Sequence, residues 1–302
     1  MELGLIGLGR MGANMTERLL KGGHRVVVHD IDRRAIDRAI ANGAAGAASI
    51  EDLVKALKAP RTVWLMVPSG EPVEKTLDAL LPLLDKGDVV IDGGNSNYKD
   101  TIRRAARLAD RSIEFVDVGT SGGIWGLTQG YCLMIGGAPA IVGHLRPVFE
   151  TLAPAKDRGW AHVGPVGAGH FVKMVHNGIE YGLMQAYAEG FAVMNKKTDF
   201  QLDLQQIAET WRHGSVVRSW LLDLTAEALQ ENPRLEGIQP YVADSGEGRW
   251  TVAEAIDLNI SAPVITLSLL ERLRSRDEEA FGTKLLALMR NKFGGHALKK
   301  KQ

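Results

Sequence analysis

Leu3-Gly-Leu-Ile-Gly7-Leu-Gly9-Arg-Met-Gly12 opens as a short apolar run and passes, through three glycines, into residues 13–20, whose pattern is helical until Gly22 and Gly23 stop it. Val26-Val-Val-His-Asp30 follows as a second buried strand that ends in an acid. Strand, glycine turn, helix, strand and terminal acid, in that order, form the fingerprint of a dinucleotide-binding unit. Each glycine has its own task. Gly7 permits the tight turn, Gly9 lets a pyrophosphate approach the backbone at the helix N-terminus, and Gly12 lets helix and strand pack closely. Leu8, Arg10 and Met11 lie between these glycines and complete the set of turn residues expected against the cofactor.

The cofactor follows from the end of the second strand. Asp30 would accept hydrogen bonds from the adenosine ribose hydroxyls and repel a 2′-phosphate, which favours NAD. Arg33 and Arg34 come soon after. They could pair with a 2′-phosphate or simply open a solvated helix, so NADP stays possible.

Further strands are expected at 62–67 and 88–92, with helices at 50–57 and 73–84. This alternation implies a parallel sheet with helices on both faces. Val67-Pro68-Ser69 stands at a strand end, where the loops of such sheets meet their ligand. Asp92-Gly-Gly-Asn95-Ser96 repeats that arrangement, and Asn95 could bond nicotinamide or substrate. After a strand at 115–118, Thr120-Ser121-Gly122-Gly123 sets exposed amides beside a hydroxyl, a cradle for a carboxylate or a hydroxyl-rich ligand. Strands at 133–135 and 160–163 would complete the sheet. Gly164-Pro-Val-Gly167 then marks a boundary between an α/β Rossmann-type dinucleotide-binding domain, residues 1–166, and an all-α domain for substrate binding and oligomerisation, residues 167–302.

A chain of 302 residues is long enough for two cores. With 36 basic and 36 acidic residues it has no global field that would attract nucleic acid or a membrane surface, so any anion site must be local. Cys132 is the only cysteine, which rules out an intramolecular disulfide. No cluster of metal-ligating residues stands out, and no metal is expected. No basic leader precedes an apolar run and no apolar stretch is long enough to span a membrane, so a cytoplasmic location is expected.

The second half reads as helices at 169–196, 205–211, 219–230, 252–259, 262–276 and 280–291. In the first of them Lys173, His176, Asn177, Glu180 and Tyr181 share one face of a largely apolar helix. Such a helix is expected to be buried, with its polar stripe against something polar: either a hydrogen-bonded seam or a lysine and a carboxylate lining a cleft as base and acid. Its place just past the boundary would let that face look back at the nucleotide cleft. Asp244-Ser-Gly-Glu-Gly-Arg249-Trp250 carries too many turn formers for a helix and is expected to be a loop. The run 299–301 reads as a basic chain end rather than a site.

Gly7-Leu-Gly-Arg-Met-Gly12, Asp92-Gly-Gly-Asn-Ser96, Ser121-Gly-Gly123, Lys173-Met-Val-His-Asn-Gly-Ile-Glu-Tyr181, Gly248-Arg-Trp-Thr251 and the stretch from Arg290 to His296 together resemble the decarboxylating 6-phosphogluconate dehydrogenases, in a short form, across nearly the whole chain. The resemblance implies oxidation of 6-phosphogluconate at C3 by NAD(P), loss of C1 as carbon dioxide, and tautomerisation of the enediol to ribulose 5-phosphate. It assigns Lys173 as the base at the C3 hydroxyl and Glu180 as the acid that protonates C1 of the enediol. Asn95, Ser121, Gly122, Gly123, His176 and Asn177 would hold the carboxylate and hydroxyls. Tyr181 and Arg272 would take the phosphate, with Arg290 and His296 from a neighbouring subunit of a homodimer or homotetramer. Arg274 competes with Arg272 for that place. Long-form relatives have a further phosphate lysine where this chain offers Ser245, with Arg249 nearby; they also have a second, repeated helical unit, and many have an arginine in place of the acid at the end of the second strand. The resemblance also leaves a runner-up, a β-hydroxyacid dehydrogenase acting on a small unphosphorylated acid, which would have no use for Glu180, Tyr181 or the tail. A nicotinamide-binding regulatory module without catalysis would leave the helix stripe structural.

Overall fold

The computed structural model describes residues 1–299. Of the basic run at 299–301, Lys300 and Lys301 lie outside the described residues. The first half follows the order β1 (Glu2–Ile6), α1 (Arg10–Lys21), β2 (Arg25–His29), α2 (Arg33–Ala41), β3 (Ala45–Gly46), α3 (Ile50–Lys55), β4 (Thr62–Leu65), α4 (Glu71–Leu80), β5 (Val89–Asp92), α5 (Tyr98–Ala109) and β6 (Glu114–Ser121). Then come a short α6 (Gly126–Gln129), β7 (Cys132–Gly136), α7 (Pro139–Leu152) and β8 (Trp160–Gly164). The eight strands form one sheet in the order β3-β2-β1-β4-β5-β6-β7-β8.

The alternation of side chains along each strand feeds two cores. Leu3, Leu5, Val26 and Val28 point to the face covered by Met15 and Leu19 of α1 and by Leu145 and Phe149 of α7. Ile6, Val27, Val63 and Leu65 point to the other face, against Leu53, Leu77 and Leu108 of α3, α4 and α5. Residues of β4 and β5 are buried throughout, as a strand covered on both faces requires. Side-chain caps fix where several helices start: Asp32 accepts from Arg34 N, Ser49 from Asp52 N and Asn97 from Lys99 N.

The sheet departs from an all-parallel one at a single pair. β6 runs on through Ser121 and pairs antiparallel with β7, Ser121 opposite Cys132. The segment between them is too short for a crossover, which needs about a dozen residues or more. Thr120 and Ser121 therefore belong to a strand end, not to a loop.

Two compact units divide the chain, one from Met1 to Asn177 and one from Gly178 onward. Helix α8 (Ala168–Lys196) begins in the first and ends in the second. The second unit continues with α9 (Leu204–Trp211), α10 (Trp220–Glu231), α11 (Glu247–Asp257), α12 (Pro263–Arg274) and α13 (Phe281–Gly294). Its core is small: Phe191, Ala208, Leu222, Ala226 and Leu229, with Trp211 edge-on to Phe191 at 5.7 Å. Among the described residues no helix is long and apolar enough to cross a membrane.

Two sequence expectations change here. The turn-rich stretch at 244–250 is only partly a loop, because α11 already starts at Glu247. Gly246, with φ +103°, makes the turn, but Gly248 is helical, and a Cβ there would stand 2.4 Å from the Tyr181 ring. That glycine allows close packing and is no turn former. Helix α8 is also not buried along its length: Ile179, Leu183, Met184 and Val193 are exposed.

Candidate active site

The glycine turn between β1 and α1 is built by exclusion. Gly7 has φ +99°, and a Cβ on it would lie 2.5 Å from the Met66 carbonyl oxygen. A Cβ on Gly12 would lie 1.9 Å from the Gly7 carbonyl oxygen. No heavy atom lies within 4 Å of the position a Gly9 Cβ would take, so the protein's own packing does not require that glycine. Helix α1 has no side-chain cap and no acid in its first turn, which leaves its N-terminal amides for an anion. A cavity of about 480 Å³ adjoins the turn, lined by Leu8, Gly9, Arg10, Asn14 and Arg38 among others. Met11, half-buried, packs against the core on this side.

At the end of β2 the Asp30 carboxylate accepts from Leu8 N at 2.5 Å and from Asp32 N at 2.7 Å. It is thus held at the turn with lone pairs to spare. Arg33 pairs with Asp37 one turn on, at 3.0 Å, and Arg34 extends from the capped start of α2. Val67 is half-buried and Pro68 exposed beyond β4. Asn95 is exposed beyond β5, between buried Gly94 and Ser96. Gly122 and Gly123 both have positive φ, +129° and +52°, just after half-buried Ser121.

The first turn of α8 is pinned by a residue the sequence did not single out. Asp117 of β6 is fully buried and accepts from Gly167 N at 2.7 Å and from His170 N at 2.8 Å. Its carboxylate serves as the cap that the helix lacks locally, and its charge suits the helix N-terminus. His170 Nδ1 meets the Thr101 hydroxyl at 2.7 Å. One turn on, the backbone of β6 comes so close that a Cβ on Gly119 would lie 2.4 Å from Lys173 Cβ. Lys173 is 7% exposed, and its Nζ donates to Asn177 Oδ1 at 2.6 Å. His176 Nδ1 lies 3.1 Å from the same oxygen, a bond in the tautomer protonated at Nδ1. Glu180 is half-buried, two turns beyond Lys173 on the same helix.

In the second unit Tyr181 is buried, and the Arg272 guanidinium lies 3.4 Å over its ring centre. The Tyr181 hydroxyl accepts from Ser245 N at 3.4 Å, and Arg272 donates to the Ala243 carbonyl at 3.0 Å. Arg274 is exposed and pairs with Glu271 at 3.5 Å. Arg249 grips Asp244 with two nitrogens, at 3.0 and 3.1 Å, and Arg276 adds a third bond at 2.6 Å. Arg249 and then Arg276 hold the Asp244 carboxyl below its ordinary range. Buried Glu247 accepts from the Ser245 hydroxyl. Asp244, Glu247 and Arg276 were missed because nothing local in the sequence marks them. Arg290 and His296 are exposed, and among the described residues neither bonds Tyr181 or Arg272. Among the described residues no three His, Cys, Asp or Glu side chains are grouped as a metal would need.

A family model described as the NAD binding domain of 6-phosphogluconate dehydrogenase matches residues 2–164, and one described as the C-terminal domain of that enzyme matches residues 169–287. The chain belongs to the 6-phosphogluconate dehydrogenase family. A putative 6-phosphogluconate dehydrogenase of Bacillus subtilis is 43% identical over 301 residues, with all of both chains covered. An NAD(+)-dependent, decarboxylating 6-phosphogluconate dehydrogenase of Haloferax volcanii is 45% identical over 302 residues, covering 100% of this chain and 99% of that one. Among solved structures, the 6-phosphogluconate dehydrogenase of Plasmodium falciparum superposes with a TM-score of 0.82 at 28% identity, over 100% of this chain and 67% of that one. The open space at Gly9, the uncapped start of α1 and the Asp30 carboxylate fit the dinucleotide that defines the family's first domain.

Proposed function

We propose that the chain catalyses the oxidative decarboxylation of 6-phosphogluconate with NAD as the preferred acceptor. The nicotinamide, when bound, takes the hydride from C3. Lys173 takes the C3 hydroxyl proton and returns it to the C3 carbonyl oxygen as the C1–C2 bond breaks, so that carbon dioxide departs and the electron pair left on C2 completes an enediol. Glu180 then protonates the former C2, which becomes C1 of ribulose 5-phosphate, while Lys173 takes the proton from the oxygen on the former C3. Asn95, the Ser121-Gly-Gly123 amides, His176 and Asn177 orient the carboxylate and hydroxyls. Asn177 already holds the lysine nitrogen, which keeps the base from swinging away.

The observation that carries this reading over a small unphosphorylated acid is the Tyr181–Arg272 stack. A buried phenol under a guanidinium, with Gly248 pressed flat against the ring, suits a phosphate gripped far from the reacting carbon, and that grip supplies binding energy for orientation. Between Arg272 and Arg274, the first is the phosphate ligand on this reading. Arg249 is committed to Asp244, so the Ser245 loop offers amides and a hydroxyl in place of the long-form lysine. NAD preference rests on Asp30 fixed at the turn and on Arg33 drawn off to Asp37. The functional boundary lies at residues 166 and 167. Homo-oligomerisation, with Arg290 and His296 completing a neighbour's phosphate site, and a cytoplasmic location complete the reading.

Nicotinamide reduction is followed with 6-phosphogluconate against NAD and NADP, with carbon dioxide collected in parallel. Equal amounts of reduced cofactor and carbon dioxide are expected, with the higher kcat/KM for NAD. Reduction without carbon dioxide, or turnover only of unphosphorylated 3-hydroxy acids, would overturn the reading.

A further inference from the structure

Asn95 sits in a loop fastened by a buried arginine that none of the steps above uses. Arg104 of α5 is 1% exposed, a rare place for an arginine unless all of it is paired. Its Nη1 donates to Ser96 Oγ at 3.0 Å and to Asp92 Oδ2 at 3.4 Å. Asp92, also 1% exposed, accepts from Gly94 N at 3.1 Å and from the Ser96 hydroxyl at 2.7 Å. These bonds bracket Asn95 on both sides and leave its own side chain in the open. The rest of the guanidinium turns toward the neighbouring loop: Nε donates to Glu74 Oε1 at 2.9 Å, and Nη2 reaches the Gly70 carbonyl at 3.5 Å. Gly70 lies two residues past Pro68, at the end of the loop that carries Val67 and Pro68, and Glu74 is in the first turn of α4 that this loop leads into. One planar fork therefore ties together two ligand loops, at the C-terminal ends of the adjacent strands β4 and β5.

Stability alone is a poor reason for this arrangement. A buried ion pair roughly offsets its own desolvation, and apolar residues of similar volume often replace one at little or no cost in stability. A guanidinium adds direction, because its donors leave in fixed orientations that a point charge cannot reproduce. We propose that Arg104 is a positioning residue, which presents the Asn95 amide to the nicotinamide and substrate by locking the β5–α5 loop onto the β4–α4 loop. This inference rests on the functional reading above.

The test is a pair of double-mutant cycles on kcat/KM for 6-phosphogluconate at saturating NAD, with Tm recorded for every variant. The wild type, Asn95→Ala, Arg104→Lys and Ser96→Ala are compared with the doubles Asn95→Ala/Arg104→Lys and Asn95→Ala/Ser96→Ala. Arg104→Lys keeps the charge but loses the fork; Ser96→Ala keeps both charges and covers the case in which the lysine variant does not fold. Each single is expected to lose about tenfold or more, and that loss to shrink to about twofold or less once Asn95 is alanine, since a misplaced group that is already gone costs nothing further. Losses that multiply with that of Asn95→Ala, or singles that lower Tm without lowering kcat/KM, would overturn the inference and leave Arg104 a structural residue. A wild type that does not turn over 6-phosphogluconate is a different failure: it sinks the functional reading and this inference with it.

Discussion

At the scale of single residues, Lys173 is held by its surroundings before any ligand arrives. Its Cβ lies where a side chain on Gly119 would clash, and its Nζ is bound by Asn177. A lysine placed for proton transfer should matter to turnover and not to nucleotide binding. Lys173→Met keeps the length and apolar body of the side chain, so it is expected to lower kcat by about 10²–10⁴-fold, the range for a positioned general base. NAD affinity, read by protein fluorescence, should stay within about twofold of wild type. Unchanged turnover would return the helix stripe to a structural seam. The close packing at Gly7 and Gly12 and the burial of Lys173 were legible in the sequence because they are set by neighbours a turn or a strand away. Asp117 and Arg104 were not. Asp117 caps a helix that starts far along the chain, and Arg104 joins two loops, so only the folded sheet brings their partners to them.

At the scale of elements, most helices named from the sequence lie within a few residues of their place, but α5 and α7 were not named at all, and the reading was also poor where one residue type serves two purposes. Glycine at 248 looks like a turn signal, but it is a helix position left bare so that Tyr181 can pack against it. The sense of the β6–β7 pair was equally hidden, since connection length and not strand composition decides it. The start of α11 depends on the Asp244 cluster in front of it. Arg249, and after it Arg276, depress the Asp244 pKa, so the folded state binds a proton there less readily than the unfolded chain does. The sign follows from linkage: this stabilisation is fully present above the ordinary aspartate range and is lost as pH falls through it toward the depressed folded value. With Arg249 half exposed, solvent screening limits it to about 1 kcal/mol. Thermal melts between about pH 6 and pH 3 should therefore draw together for wild type and Asp244→Asn, with wild type more stable at the upper end and its advantage shrinking toward the lower. A constant gap across that window would mean that the Asp244 contribution is packing and not charge.

At the scale of the whole molecule, α13 calls for a partner. Phe281, Leu285, Leu286, Leu288 and Met289 are all exposed, from 45% to 69%, on one helix of fourteen residues. A helix that exposes so much apolar surface is stable when something covers it, and on the homo-oligomeric reading proposed above that something is a second copy of the chain. Beyond it the helix ends at Gly295, with φ +65°, and Asn291 Nδ2 donates to the His296 carbonyl at 2.9 Å, while Arg290 stays within the end of the helix. If each tail completes a neighbour's phosphate site, assembly and substrate affinity are coupled, and the two can be separated by where the chain is cut. Deletion after Asn291 removes His296 and keeps nearly all of α13. It should leave the oligomeric mass by light scattering unchanged and raise KM for 6-phosphogluconate about tenfold, the cost of roughly one charge-assisted phosphate contact, with KM for NAD unaffected. Leu286→Glu, which keeps the tail but charges the exposed helix, should instead dissociate the assembly and raise KM in proportion to the fraction of monomer. An unaltered substrate KM in the truncated protein would remove His296 from the phosphate site and leave it to Tyr181, Arg272 and the Ser245 loop, with Arg290 of the neighbouring copy as the remaining contribution of α13.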